Sequence, residues 1–220
     1  TAASRNLIDV NAPDVSFDGP KIVFAGLANG SYSSNPMNNP GAWRLYIINV
    51  DGTGLRQLTF ADQNLNMSQF GGVASSLSRY DDTDPAWLPD GRVVFSSTRW
   101  PSFGMYGAAR TSNLYVVNGD GSNLHRITSE RNGADRPLVD PLTGKIVFSR
   151  WWRNHRVATN DMGTIPDPRG GYIMKDGLCA LNSSGARCFE PGGKFNMERN
   201  SWFLASSNPD GTDLEQFAGQ

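Results

Sequence analysis

One phrase occurs three times in this chain, and that repetition constrains the fold more than any single residue does. The copies are "RLYIINVDGTGLRQLTF" (Arg44 to Phe60), "NLYVVNGDGSNLHRITS" (Asn113 to Ser129) and, degraded, "SWFLASSNPDGTDLEQFAG" (Ser201 to Gly219). Each is an apolar and aromatic run, a turn on Asp-Gly, and a second short run. A related phrase precedes each copy: "PDVSFDGPKIVFAG" (Pro13 to Gly26), "DTDPAWLPDGRVVFSST" (Asp82 to Thr98) and "ADRPLVDPLTGKIVFSR" (Ala134 to Arg150). These carry tight turns at Asp18-Gly19, Asp90-Gly91 and Thr143-Gly144, followed by β-branched runs ending in Phe. Asp-Gly between apolar runs is a strong hairpin signal, because glycine takes a positive φ without a Cβ clash.

Each unit therefore reads as four antiparallel strands, a to d. In the second unit, strand a is expected near Pro85–Pro89, b near Arg92–Ser97, c near Asn113–Asn118 and d near Leu124–Thr128. Four-stranded units repeated along a chain describe β-propeller blades, which bury their faces by stacking around an axis. A β-sandwich would not need the same two turns in every unit. The expected fold is thus an all-β, partial β-propeller of about three blades: blade 1 over 13–60, blade 2 over 82–129, and blade 3 over 134–219 with an insertion at 151–200. The 24 Gly and 13 Pro suit strands and turns better than helices.

The second unit, "DPAWLPDGRVVFSSTR" followed by "NLYVVNGDGSNLHRIT", resembles the repeat of TolB-like propellers. The first unit lacks the Asp-Pro start. The third keeps Pro137, loses the aromatic, and is read with Trp202-Phe203 where Leu-Tyr stands in the others. The resemblance implies a propeller of the six-bladed type. Its members include envelope scaffolds, peptidase-associated propellers and the propeller parts of periplasmic enzymes such as hydrazine synthase. Three units do not close a ring, since propellers typically have at least four blades. The implied partners are protein subunits that complete the propeller, either a second copy or another chain.

Composition narrows the other partners. The net charge is -1, without the basic excess that nucleic acid or an anionic membrane would select. No apolar run approaches the ~20 residues of a spanning helix. Cys179 and Cys188, in "CALNSSGARC", bracket a short loop and are expected to form a disulfide, which implies a periplasmic or extracellular location. The opening "TAAS" is what cleavage after a small-residue site would leave. The sequons at Asn29, Asn66 and Asn182 matter only in a eukaryotic secreted protein.

The a–b and c–d turns are short, so the length lies in the b–c and d–a connections, on the opposite side of the blades. Long loops on a rigid scaffold are where binding usually resides. "SRWWRNHRVATNDMG" sets Trp151, Trp152, Arg153, His155 and Arg156 together. Tryptophan and arginine recur at interface hot spots because they join large area to directional donors. Trp100 and Tyr106 lie in a second long connection. "PDPRGGYIMKDGL", with Asp176-Gly177 before a further strand, reads as a small hairpin.

Asp81, Asp82 and Asp84 form the best metal candidate, with calcium as the ion, since hard cations take several oxygens. The competing reading is an acid that caps the strand start. His125 stands where other units have Arg56 and Glu215, so it reads as an exposed face position. There is no readable catalytic set, and no CxxCH for haem. The primary expectation is a non-catalytic scaffold or interaction module. The alternative is the propeller part of a hydrazine-synthase-like redox complex, whose haem would come from another segment or chain.

Overall fold

A computed structural model describes residues 7–28, 43–62, 65–66, 69, 79–102, 110–152, 164–166, 172–174 and 201–218. The chain divides into two compact units, 1–151 with 203–220, and 152–202. Among the described residues of the first there is no α-helix.

Three four-stranded antiparallel sheets make up the first unit. Blade 1 comprises β1 (Leu7–Val15), β2 (Lys21–Ala28), β3 (Trp43–Asn49) and β4 (Arg56–Gln57), in that spatial order. Blade 2 comprises β5 (Asp82–Trp87), β6 (Arg92–Ser97), β7 (Asn113–Asn118) and β8 (His125–Arg126). Blade 3 is built from β9 (Ala134–Val139), β10 (Ile146–Trp152), β13 (Ser201–Ser207) and β14 (Glu215–Ala218). In the second unit, β11 (Thr164–Pro166) pairs with β12 (Tyr172–Met174), Ile165 opposite Ile173. That hairpin falls before Asp176-Gly177, earlier than the sequence reading placed its further strand.

Strands b and c of blade 2 match their expected bounds, but strand a begins earlier and strand d shrinks to two residues. The cause at strand a is a bulge common to all three blades. Ala12, Asp84 and Arg136 each precede a proline and have φ of 49°, 49° and 52°. Each sits at a break in register between strands a and b. Strand a is the edge strand of its sheet, where proline's missing N–H costs no ladder bond. A bulge and a proline together also blunt an edge against further pairing. The Asp-Pro phrase is therefore a device of edge geometry.

The third unit needs a correction of register. The c–d turns are superposable in their bonds: Asn49 N to Thr53 O, Asn118 N to Ser122 O and Asn208 N to Thr212 O, each 2.9 Å. Counting back from that turn puts Leu204-Ala205, not Trp202-Phe203, in the places of Leu114-Tyr115. Ala205 is fully buried in the core beside Phe148 and Ile146, and the small side chain is why the repeat looked degraded.

Blade 2 is covered on both sides. Trp87, Val93, Phe95, Tyr115 and Val117 pack against Val23, Leu45, Ile47 and Leu58 of blade 1. The alternate residues Leu88, Val94, Leu114 and Val116 pack against Ala134, Ile146 and Phe148 of blade 3. Successive strand residues point to opposite faces, so burial of both faces explains the unbroken apolar run "RVVF". Polar stitches join the blades as well. Trp87 N donates to Asp14 Oδ2 (2.7 Å), and Arg136 N to Ser96 Oγ (2.9 Å).

The repeated turn also carries a titratable group. Asp51, Asp120 and Asp210 each accept from the backbone N–H and hydroxyl of the residue two further on, Thr53, Ser122 and Thr212. Those hydrogen bonds, the hydroxyl's first, hold all three carboxyls below their ordinary value. A depressed acid contributes its stability above the unfolded value, about 3.9, and loses it as pH falls through the folded value. The urea midpoint should therefore decline below about pH 4, and replacing all three with Asn should flatten that decline. An unchanged acid limb in the triple variant would show that other carboxylates set it.

Candidate interaction face

Strands a to d alternate in direction, so the b–c and d–a connections all leave from one end of the blades. At that end blades 1 and 2 are locked by a buried cluster around Tyr80. Its ring lies between two guanidiniums, Arg44 at 4.4 Å and Arg99 at 4.8 Å from the centroid. The Tyr80 hydroxyl donates to the Phe60 carbonyl (2.7 Å) and accepts from Asp62 N (3.0 Å). Arg44 Nη1 donates to the carbonyls of Trp43 and Tyr80. Arg99 bridges Asp82 Oδ2 (2.8 Å) and Asp62 Oδ1 (3.2 Å). Asp82 is fully buried, and Ser97 Oγ donates to its other oxygen at 2.6 Å.

Burial raises the Tyr80 phenol above its ordinary value. Burial pulls the Arg99 guanidinium down, but Asp82, Tyr80 and Asp62 together carry it above its ordinary value. Arg110 differs: burial lowers it, and Asp81 opposes that only in part. Arg110 Nη2 donates to the Thr98 carbonyl at 2.6 Å. Arg150 pairs with Glu130 at 2.7 Å on the neighbouring blade edge.

The three aspartates expected near a cation do not converge. Asp81 Oδ1 accepts from Trp43 N (3.1 Å), and its own N–H donates to Thr98 Oγ1 (3.0 Å). Asp82 belongs to Arg99. Asp84 occupies the bulge and accepts from Thr83 Oγ1 (2.9 Å). Among the described residues, no group of three His, Cys, Asp or Glu side chains is gathered where an ion would be held.

The other expected residues fall as follows. Trp100 is 39% exposed, with the Arg126 guanidinium 4.7 Å above its ring. Trp151 is half-buried, and its backbone N–H donates to the Gly133 carbonyl (3.0 Å). Trp152 closes β10. Tyr106, Arg153, His155, Arg156, Cys179 and Cys188 lie outside the described residues. His125 is partly exposed, its Nδ1 2.8 Å from the Asn123 carbonyl. Sequence reasoning missed Arg44, Tyr80, Arg99 and Arg110. Their signal was weak: Arg44 opens a c strand, Arg110 precedes one, Arg99 follows a b strand and Tyr80 precedes an a strand, with no common spacing between units.

No family model and no curated protein matches the sequence. Solved structures do match. A TolB protein from Agrobacterium tumefaciens is similar over 99% of this chain and 51% of its own, at 16% identity and a TM-score of 0.53. Hydrazine synthase from Kuenenia stuttgartiensis is similar over 99% of this chain and 26% of its own, at 15% identity and a TM-score of 0.58. The chain thus spans about half of the first and a quarter of the second. At these identities the likeness concerns the fold. No helix among the described residues is long and apolar enough to cross a membrane. The chain is a partial propeller of four-stranded antiparallel blades.

Proposed function

We propose that this chain is a non-catalytic propeller module that binds partner subunits, or a ligand, through its long-connection face, in a periplasmic or extracellular setting. The supporting observation is the division of labour between the two ends of the blades. The short-turn end is built from repeated, self-satisfied turns. The other end sends out every long connection and is anchored by the Tyr80, Arg44 and Arg99 cluster, a rigid base for variable loops. Trp100 and Trp151, with Arg153, His155 and Arg156 beside the latter in sequence, supply the hot-spot chemistry.

Hydrogen exchange on the native particle, compared with the isolated chain, tests this reading. Added protection is expected over residues 99–112 and 151–156. Protection confined to the turns at 51–53, 120–122 and 210–212 would reverse the assignment. The fold likeness to hydrazine synthase supports a second reading, a propeller part of a redox complex with haem from another segment. A Soret band in the native particle would favour it.

A further inference from the structure

The a–b turns of blades 1 and 2 are counterparts with opposite outcomes. Lys21 and Arg92 each open strand b, opposite Asn49 and Asn118 of strand c. In blade 2 the turn closes on itself. Asp90 accepts from the Arg92 backbone N–H (3.1 Å) and pairs with the Arg92 guanidinium (2.7 Å). In blade 1 an extra residue, Pro20, stands between Asp18-Gly19 and strand b. Proline has no N–H to offer Asp18, and its insertion sets Lys21 one residue further along. Both residues are exposed, and among the described residues neither the Asp18 carboxylate nor the Lys21 ammonium has a partner.

Both line one cavity of about 270 Å³ between blades 1 and 2. Its apolar wall is formed by Phe17, which is 49% exposed, and by Trp87, Leu88 and Pro89. The Trp87 indole Nε1 is buried and has no acceptor among the described residues. Buried donors are normally paired, and one left unpaired calls for an explanation. The cavity thus combines a free cation and an unmet N–H donor with a free carboxylate and an apolar wall. A simple anion would be repelled by Asp18, and a simple cation by Lys21. A molecule that carries both charges on an apolar body satisfies every group. The volume lies just below the roughly 300 Å³ at which sites for drug-sized ligands begin, so the occupant is small.

We propose that this cavity binds a free α-amino acid with an apolar side chain. Lys21 takes its carboxylate, with the Trp87 N–H as a further donor, and Asp18 takes its ammonium. Phe17 and Pro89 pack on its side chain. The site lies at the short-turn end of the blades and does not depend on what the long-connection face binds.

NMR titration of the isotope-labelled full chain with L-phenylalanine tests it. The Trp87 indole cross-peak, assigned by its loss in Trp87→Phe, should move with a Kd on the order of 1 mM, as suits a ligand this small. Hydrocinnamate lacks the ammonium and phenethylamine lacks the carboxylate, and each should bind about fivefold more weakly, the scale of one partly exposed ion pair. Lys21→Met should weaken L-phenylalanine about fivefold and leave phenethylamine unchanged. Asp18→Asn should weaken L-phenylalanine equally and leave hydrocinnamate unchanged. Neither side chain has a partner to lose, so the urea midpoint should hold in both variants. A Trp87 cross-peak that stays in place at tenfold that concentration, equal affinity for the three compounds, or unaltered L-phenylalanine affinity in either variant would each overturn the proposal.

Discussion

Replacing Arg99 with Met should lower the unfolding free energy by about 3–5 kcal/mol, the range for removing one partner of a buried ion pair. Asp82 has no exposed surface and depends on Arg99 Nη2 at 2.8 Å for its charge balance. Without the guanidinium, the carboxylate is left desolvated, with only the Ser97 hydroxyl facing it. The Tyr80 ring also loses one of its two stacked cations. Denaturant unfolding measures the loss, and a Tm drop on the order of 10 °C should accompany it. The double variant Asp82→Leu with Arg99→Met should recover most of the deficit, because replacing a whole buried pair by apolar groups is often neutral. A loss under about 1 kcal/mol in the single variant would mean that water reaches the pair, and the cluster would cease to be a rigid base for the loops.

The second large effect is at Phe95. Its ring is fully buried between blades 1 and 2, so Phe95→Ala should cost about 3–5 kcal/mol in transfer and cavity terms. Phe24 holds the same repeat position in blade 1 but is only half-buried. Phe24→Ala should cost about 1 kcal/mol, since less buried area is lost there. Equal losses at the two positions would show that blade 1's outer face is covered within the chain.

The pair also shows where sequence reading stops. "KIVF" at Lys21 and "RVVF" at Arg92 announce the same strand in the same register, and both strands form. The six repeated turns were legible for a similar reason: a positive φ at each turn glycine leaves a local chemical mark. The register of the third c strand was not, because Ala205 replaced the aromatic and the pattern's strongest mark vanished. Nor was the role of Asp82. In sequence it stood with Asp81 and Asp84 as three neighbouring carboxylates. In the fold, a bulge at Asp84 and the alternation of the strand send the three to different partners.

Arg99 and Tyr80 were missed altogether, since nothing local distinguishes a guanidinium that will be buried from one that will be solvated. The sequence by itself determined the blades, their turns and the end from which the long connections leave, because hairpin chemistry and period-2 patterning act between residues near in the chain. Tertiary structure alone decided which repeat of a shared motif is core and which carboxylate holds an arginine. Those outcomes depend on what a neighbouring blade brings within a few ångströms, and burial converts that proximity into energy.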